Sequence, residues 1–324
     1  MATLKDIAKG AGVTVTTVSR VLNNRGYISD ETRNKVYRVM KELNYQPNEI
    51  ARSLARKKSN IIGLIIPTVA HSFFSELSFY LEYYAYNNGY KVLLCNSQLE
   101  QKKEKEYIGM LRAHQVDGII MASHTLEVDE YLSLNLPVVT VDRKVDEIPN
   151  VSSDNYYGGS LATNLLIDKG CNKIAYIGGS LKLNLLANKR YEAFINTAKG
   201  RNVDFLNVET DINGFKIEEY EELINNLFQK HPEIDGIFAS SDLIAASIIK
   251  VCNRINKKVP DDVKIVGYDD VKVASLFVPQ ITTIRQPIEN MGKLVIELLV
   301  KLIDEKDVIN DNILPVKLIE RETT

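Results

Sequence analysis

The 324-residue chain is short of several features that would assign it a class at once. No run reaches eighteen consecutive apolar residues, so no segment has the length of a membrane-spanning helix. The opening residues, MATLKDIAKG, lack the apolar stretch of a secretion signal. Cysteine is scarce: Cys95, Cys171 and Cys252 are an odd number, far apart and without a CxxC pair. That pattern argues against a disulfide framework or a thiolate zinc site and fits reduced thiols in a cytoplasm. The four histidines, at 71, 114, 124 and 231, show no ligand spacing, so no metal is expected. Also missing are a GxxxxGKS/T phosphate loop, HExxH, GxSxG and a GxGxxG after a strand. No cofactor is expected, and the chain reads as a binder rather than an enzyme.

What is present is unevenly distributed. A net charge of −2 conceals a basic head and an acidic body. Residues 1–60 carry twelve Lys/Arg against five acids, a net +7, while the remainder carries 28 against 37, a net −9. A basic head on an acidic body suits contact with a polyanion.

Within the head, Val13–Val18 reads VTVTTV, six β-branched residues that favour a strand. The flanks contradict that. Leu4, Ile7 and Ala8 share one helical face, and Gly10-Ala11-Gly12 is expected to break that helix. Thr14 suits an N-cap, with Val18, Val21 and Leu22 recurring on the next helical face. Two helices around a glycine-containing turn make a helix-turn-helix unit, and a third should follow GYISDET, capped by Ser29 or Asp30. Its core face should hold Val36, Val39, Met40 and Leu43. Val15, Thr16 and Thr17 then fall in the first turn of the second helix, where this motif meets base edges. Short hydroxyl and methyl groups there can touch bases without filling the groove.

The next stretch, NYQPNEIARSLARKKSN, places Pro47 at the start of a short helix. Ile50 and Leu54 form an apolar face, and Arg52, Arg56, Lys57 and Lys58 make the segment basic. Such a helix is marginal alone and could order on DNA.

Beyond Ser59, apolar runs alternate with amphipathic stretches: 61–66, 90–95, 117–122, 137–142, 173–178, 235–240 and 263–269. Continuous Val/Ile runs separated by helices predict parallel sheet covered on both faces. Ligands in such sheets bind beyond the strands' carboxyl ends. The residues there include His71, Phe73, Phe74, Asp142, Arg143, Asp154, Ser241, Asp242, Asp269 and Asp270. Carboxylates accept from hydroxyls, arginine donates in a fork and aromatic faces cover C–H surface, a mixture suited to a polyhydroxylated ligand. An Asp after a strand can equally be a helix cap.

These residues carry a resemblance. TLKDIAKGAGVTVTTVSRVLNN followed by YQPNEIARSL resembles the lactose-repressor (LacI/GalR) family of bacterial transcription regulators, and the likeness continues through nearly the whole chain. The whole chain also resembles the family's sucrose-operon repressors. The resemblance implies an all-α helix-turn-helix DNA-binding domain (1–46) and a hinge helix (47–59). It further implies a two-lobed α/β domain (60–324) of the periplasmic-binding-protein type with parallel sheets. The first lobe should span about 60–160 with 286–315, and the second about 161–285 with the C-terminal tail. The implied DNA-facing set is Thr14, Val15, Thr16, Thr17, Ser19, Arg20, Asn23, Arg52, Leu54 and Arg56, with Leu54 as a minor-groove wedge. The implied effector contacts are His71, Phe73, Phe74, Asp142, Arg190, Ser241, Asp242, Asp269 and Gln286. Ser241 departs from the family's usual asparagine.

The expected partners are a palindromic double-stranded operator, a sugar or sugar phosphate effector and a second copy of the chain. No membrane is expected. A tetramer is not expected, since no leucine-rich heptad follows KLIERETT. Two other signals fit the residues: a phosphorylated carrier protein docking outside the cleft, or a purine or nucleoside.

Overall fold

Threonine and serine hydroxyls set the helix starts of the head. The computed structural model describes residues 2–46, 58–123, 125, 130, 134–145, 147–181, 185–210 and 217–324. The chain forms two compact units, Met1–Ser59 and Asn60–Thr324. The first holds α1 (Leu4–Ala11), α2 (Val15–Leu22) and α3 (Asp30–Glu42). Thr3 and Asp6 close a reciprocal capping box on α1, and Thr14 and Ser29 each accept a backbone N–H at the starts of α2 and α3. Ile7, Ala8, Val18, Val21, Val36 and Val39 make one small core, so burial overrides the strand preference of VTVTTV.

The break expected within Gly10-Ala11-Gly12 falls at its last residue, and one other expectation needs correction. Helix α1 runs through Gly10 and ends at Gly12, which adopts the left-handed φ of 65°. Gly10 serves packing instead: a Cβ there would lie 2.7 Å from Val39 Cγ1 on α3. Leu43, expected on the core face of α3, is exposed just past its end. The predicted hinge helix, with Arg52, Leu54 and Arg56, lies outside the described residues.

The second unit runs β1 (Ile61–Ile66), α4 (Ser72–Asn87), β2 (Lys91–Asn96), α5 (Gln101–Ala113), β3 (Gly118–Met121), β4 (Val138–Val141) and β5 (Asn150–Ser153). It continues with α6 (Asn155–Asp168), β6 (Lys173–Gly178), α7 (Lys189–Gly200), β7 (Asp204–Glu209), α8 (Ile217–Lys230), β8 (Gly236–Ala239) and α9 (Asp242–Arg254). Last come β9 (Lys264–Asp269), β10 (Thr282–Arg285), α10 (Ile288–Ile303), β11 (Asp311–Leu314) and β12 (Lys317–Ile319). Among the described residues these make two six-stranded sheets, ordered β11-β5-β4-β3-β1-β2 and β12-β10-β9-β8-β6-β7. Their pairings are parallel except β10 with β12.

Strand alternation divides each apolar run between two layers. In β1, Ile62, Leu64 and Ile66 face α4 and α10, while Ile65 joins the core under α5. In β6, Ala175 and Ile177 face α8 and α9, while Ile174 and Tyr176 face α6 and α7. The chain crosses between the lobes at Asp154, at Gln286-Pro287 and at Pro315-Val316. Helix α6, astride the expected boundary near 160, packs in the core of the second lobe. The strands' carboxyl ends border the gap between the lobes, where the predicted contacts must be sought.

Candidate functional site

On the head, α2 divides its residues by face. Val18 and Val21 are buried, while Val15, Thr16 and Arg20 are exposed. The hydroxyl of Thr14 is occupied by the cap: it accepts from Thr17 N at 3.1 Å and shares a 2.9 Å bond with Thr17 Oγ1. Asn23 turns back on α2, donating to Ser19 O at 2.9 Å, and Ser19 is half-buried. The outward surface is therefore short-chained at Val15 and Thr16, with the Arg20 cation one turn on from Thr16. Tyr27, bare on the loop before α3, was not singled out from the sequence, since nothing local separates it from a core aromatic.

Between the lobes lies a cavity of about 200 Å³. From the first lobe it is lined by His71, Phe73 and Phe74 after β1, Leu99 after β2, Ala122 after β3 and Asp142 after β4. From the second come Tyr176, Ser180, Arg190, Thr210, Ser240, Ser241 and Asp269, with Gln286 at the crossing. The two phenylalanine rings meet edge to face at 5.2 Å, and His71 lies 5.6 Å from Phe74. His71 caps α4, its Nδ1 accepting from Phe73 N at 3.3 Å. The imidazole proton therefore sits on Nε2. Burial, helped by the Arg190 charge, lowers the His71 pKa to about 4, so the ring is neutral.

Arg190 is the cation of the lining among the described residues and is buried. Its Nε donates to Asn155 Oδ1 at 2.7 Å and its Nη1 to Ser240 O at 2.9 Å. The guanidinium lies 3.6 Å from the Tyr268 ring centroid, and Nη1 is 4.0 Å from Asp269 Oδ1. Gln286 donates to Asp269 Oδ1 at 2.7 Å and accepts from Ser153 Oγ at 2.6 Å. Burial pushes the Asp269 carboxyl up to about 7, against the pull of Arg190 and Gln286. Asp142 is raised by burial too, against Arg190 and Asn155. The two cavity carboxylates hold unusual backbone, Asp142 at φ 56° and Asp269 at φ 106°, strain of the kind found where a side chain is aimed at a ligand.

Asp242 is placed otherwise than the sequence suggested. It faces away from the cavity, accepting from Thr283 Oγ1 at 2.6 Å and Val271 N at 2.9 Å. The absent Cβ of Gly267 leaves room for its Oδ1. Burial and then the Asp269 charge raise its pKa well above the usual carboxylate range. Asp242 thus ties α9 to β10 and to the segment after β9. Ser241 lines the cavity while its Oγ accepts from Ile244 N at 3.3 Å as the α9 cap. The structure also brings in Tyr176, Tyr268 and Asn155, which sequence reasoning missed. The signal for the two tyrosines was their place among the aliphatic residues of "KIAYIG" and "KIVGYD"; Asn155 carried none.

A larger hollow, about 480 Å³, lies beside β7 and α8. It sits at the edge of the second sheet rather than across strand ends, and its charged residues Glu219, Glu222 and Lys230 are exposed on one helix. The interlobe cavity can surround a small hydroxylated molecule: acceptors at Asp142 and Asp269, donors at Arg190 and Gln286, aromatic edges above.

Residues 3–48 match the family model of bacterial regulatory proteins, lacI family, and residues 163–324 match a periplasmic binding protein-like domain. A ribose operon repressor of Halalkalibacterium halodurans is 43% identical, the match spanning 100% of this chain and 97% of that protein. A sucrose operon repressor of Streptococcus mutans is 42% identical over 100% and 99%. Among solved structures, a periplasmic binding protein/LacI transcriptional regulator of Alkaliphilus metalliredigens, complexed with D-xylulofuranose, superposes with a TM-score of 0.75. It is 35% identical over 82% of this chain and 99% of that one. The Lac repressor dimer bound to operator and the anti-inducer ONPF superposes at 0.88, with 26% identity over 99% and 98%.

Proposed function

Because the chain belongs to the LacI family of bacterial regulatory proteins, we propose that it is a dimeric, cytoplasmic repressor of a carbohydrate-utilisation operon, released or recruited by an uncharged sugar in the interlobe cleft. It is a DNA-binding regulator and not an enzyme. Val15, Thr16 and Arg20 read operator bases from α2, with Thr14 fixing the helix start. Leu54 wedges the minor groove by resemblance alone. In the cleft, His71, Phe73, Phe74, Asp142, Arg190, Asp269 and Gln286 contact the effector, Ser241 borders it and Asp242 supports it from behind.

One observation carries the choice of ligand: among the described residues the lining holds two carboxylates and one guanidinium, and that guanidinium is already bonded to Asn155 and Ser240. A phosphate would bring about two further negative charges into this space. Hydroxyls instead supply the donors that Asp142 and Asp269 accept. The volume, about 200 Å³, equals roughly seven waters at about 30 Å³ each, room for one sugar ring. The relatives named for ribose and sucrose operons, and the xylulofuranose complex, agree with a sugar.

Thermal unfolding of the whole chain against D-ribose, D-fructose, D-xylulose, sucrose, the sugars' phosphate esters and guanine tests this. A true effector at a hundred times its Kd adds about 2.7 kcal/mol and raises Tm by a few degrees. The expected hit is one free monosaccharide. A shift from a phosphate ester alone would overturn the uncharged ligand. A flat panel would move the signal to a protein partner.

A further inference from the structure

Asn155 is the first residue of α6, immediately after the chain crosses from β5 into the second lobe. It is 3% exposed and absent from the cavity wall, yet it touches both sides of the site. Its Oδ1 accepts from Arg190 Nε at 2.7 Å. Its Nδ2 donates to Asp142 Oδ1 at 3.4 Å and to Ser153 O at 3.1 Å. Guanidinium can only donate and carboxylate can only accept, so the amide has one orientation that serves both. Asp142 closes the first lobe's β4, and Arg190 stands on α7 of the second. A second tie between the lobes converges on the same residue: Leu186 N, in the turn leading into α7, donates to Asp142 O at 2.9 Å.

From this placement we propose that Asn155 is a positioning residue that couples the lobes, holding the first lobe's carboxylate to the second lobe's guanidinium through one buried amide. No other neutral side chain of its size offers both a donor and an acceptor on one rigid plane. An effector that engages Asp142 and Arg190 must act on the two ends of this bridge. Its binding is thereby transmitted to the β5–α6 crossing and so to the lobe angle. That last step rests on the cleft being the effector site, whereas the bridge itself does not.

The test is made without sugar. Spin labels at Lys102→Cys on α5 and Lys199→Cys on α7, both exposed positions, report the distance between lobes in full-length protein diluted with unlabelled chains. Asn155→Asp keeps the acceptor for Arg190 but sets a carboxylate against Asp142. The population at non-native interlobe distances should rise roughly tenfold, the size of one charge-assisted hydrogen bond lost. Adding Asp142→Asn restores a donor opposite the new acceptor and should return the distribution to that of the parent. Asn155→Ala, which leaves both ends unpaired, should open the lobes irrespective of residue 142. A residue that merely stabilised α6 would lower Tm in every variant and show no rescue from the other lobe. An unchanged distribution in Asn155→Asp, or opening that Asp142→Asn does not reverse, would overturn the proposal. A flat sugar panel alongside rescue would leave the bridge standing and remove only the choice of effector.

Discussion

Burial keeps the proton on Asp269 up to about pH 7, and this sets a pH dependence. Its pKa is about 7 in the folded chain against 3.8 as the ordinary value, so between these the folded state binds the proton that the unfolded state has lost. Stability should therefore fall as pH rises from about 4 to 7, by up to ~1.4 kcal/mol per pH unit for each proton involved, and level off above. Asp142 and Asp242 are raised as well and add in the same direction. An effector hydroxyl donating to Asp269 favours the ionised form, which reverses the sign for binding. Sugar affinity should strengthen as pH rises toward 7, by up to about tenfold per unit, with a proton released on binding. Calorimetry of the effector in buffers of different ionisation enthalpy would detect that proton. Asp269→Asn should flatten the decline in stability, and an unaltered slope in that variant would place the proton on another group.

Single elements show what local sequence could and could not reveal. The seven apolar runs became strands because continuous Val/Ile stretches between helices have one common solution, a doubly covered parallel sheet. The five strands not foreseen carry weaker signals. Strands β7, β11 and β12 lie at or near sheet edges and are half exposed, while β5 (NVSS) and β10 (TTIR) bury polar side chains that bond elsewhere in the fold. Ser153 and Gln286 are 133 residues apart, and Asn155 and Arg190 are 35 apart, so their bonds leave no local pattern. The head was legible in its caps and in the break that Gly12 makes, but not in the role of Gly10, which lies inside α1 and makes a helix contact. Propensity alone predicts that Gly10→Ala stabilises α1 by nearly 1 kcal/mol. The stiff Val39 side chain stands where the new methyl would go, and overpacking of this kind costs roughly 1–3 kcal/mol. The net expectation is a destabilised head and weaker operator binding. Hydrogen exchange over α1 and α3 would report it, and slower exchange in the variant would show that the helices yield.

At the scale of the whole molecule, the first lobe leaves an apolar band uncovered. Phe79, Tyr83 and Tyr86 follow one another by four and three residues on the outer face of α4. Leu94 is exposed on the α4 side of β2, an edge strand of the first sheet. A lone chain would expose this band as an aggregation hazard. A second copy pairing through it would cover it and supply the second recognition helix that a palindromic operator requires. The interlobe cavity is lined by residues of one chain, so effector binding there and operator binding by a dimer should separate under mutation. Tyr83→Glu with Phe79→Glu should convert the protein to monomer at micromolar concentration. Operator affinity should then fall on the order of 100-fold or more, as two linked contacts become one. The sugar-induced rise in Tm should survive, because its groups lie in the cleft of a single chain. Sedimentation and operator titration of the double variant together decide the matter: a dimer that persists would move the interface to another face. A monomer binding operator as tightly as the parent would deny the dimer its role in reading DNA.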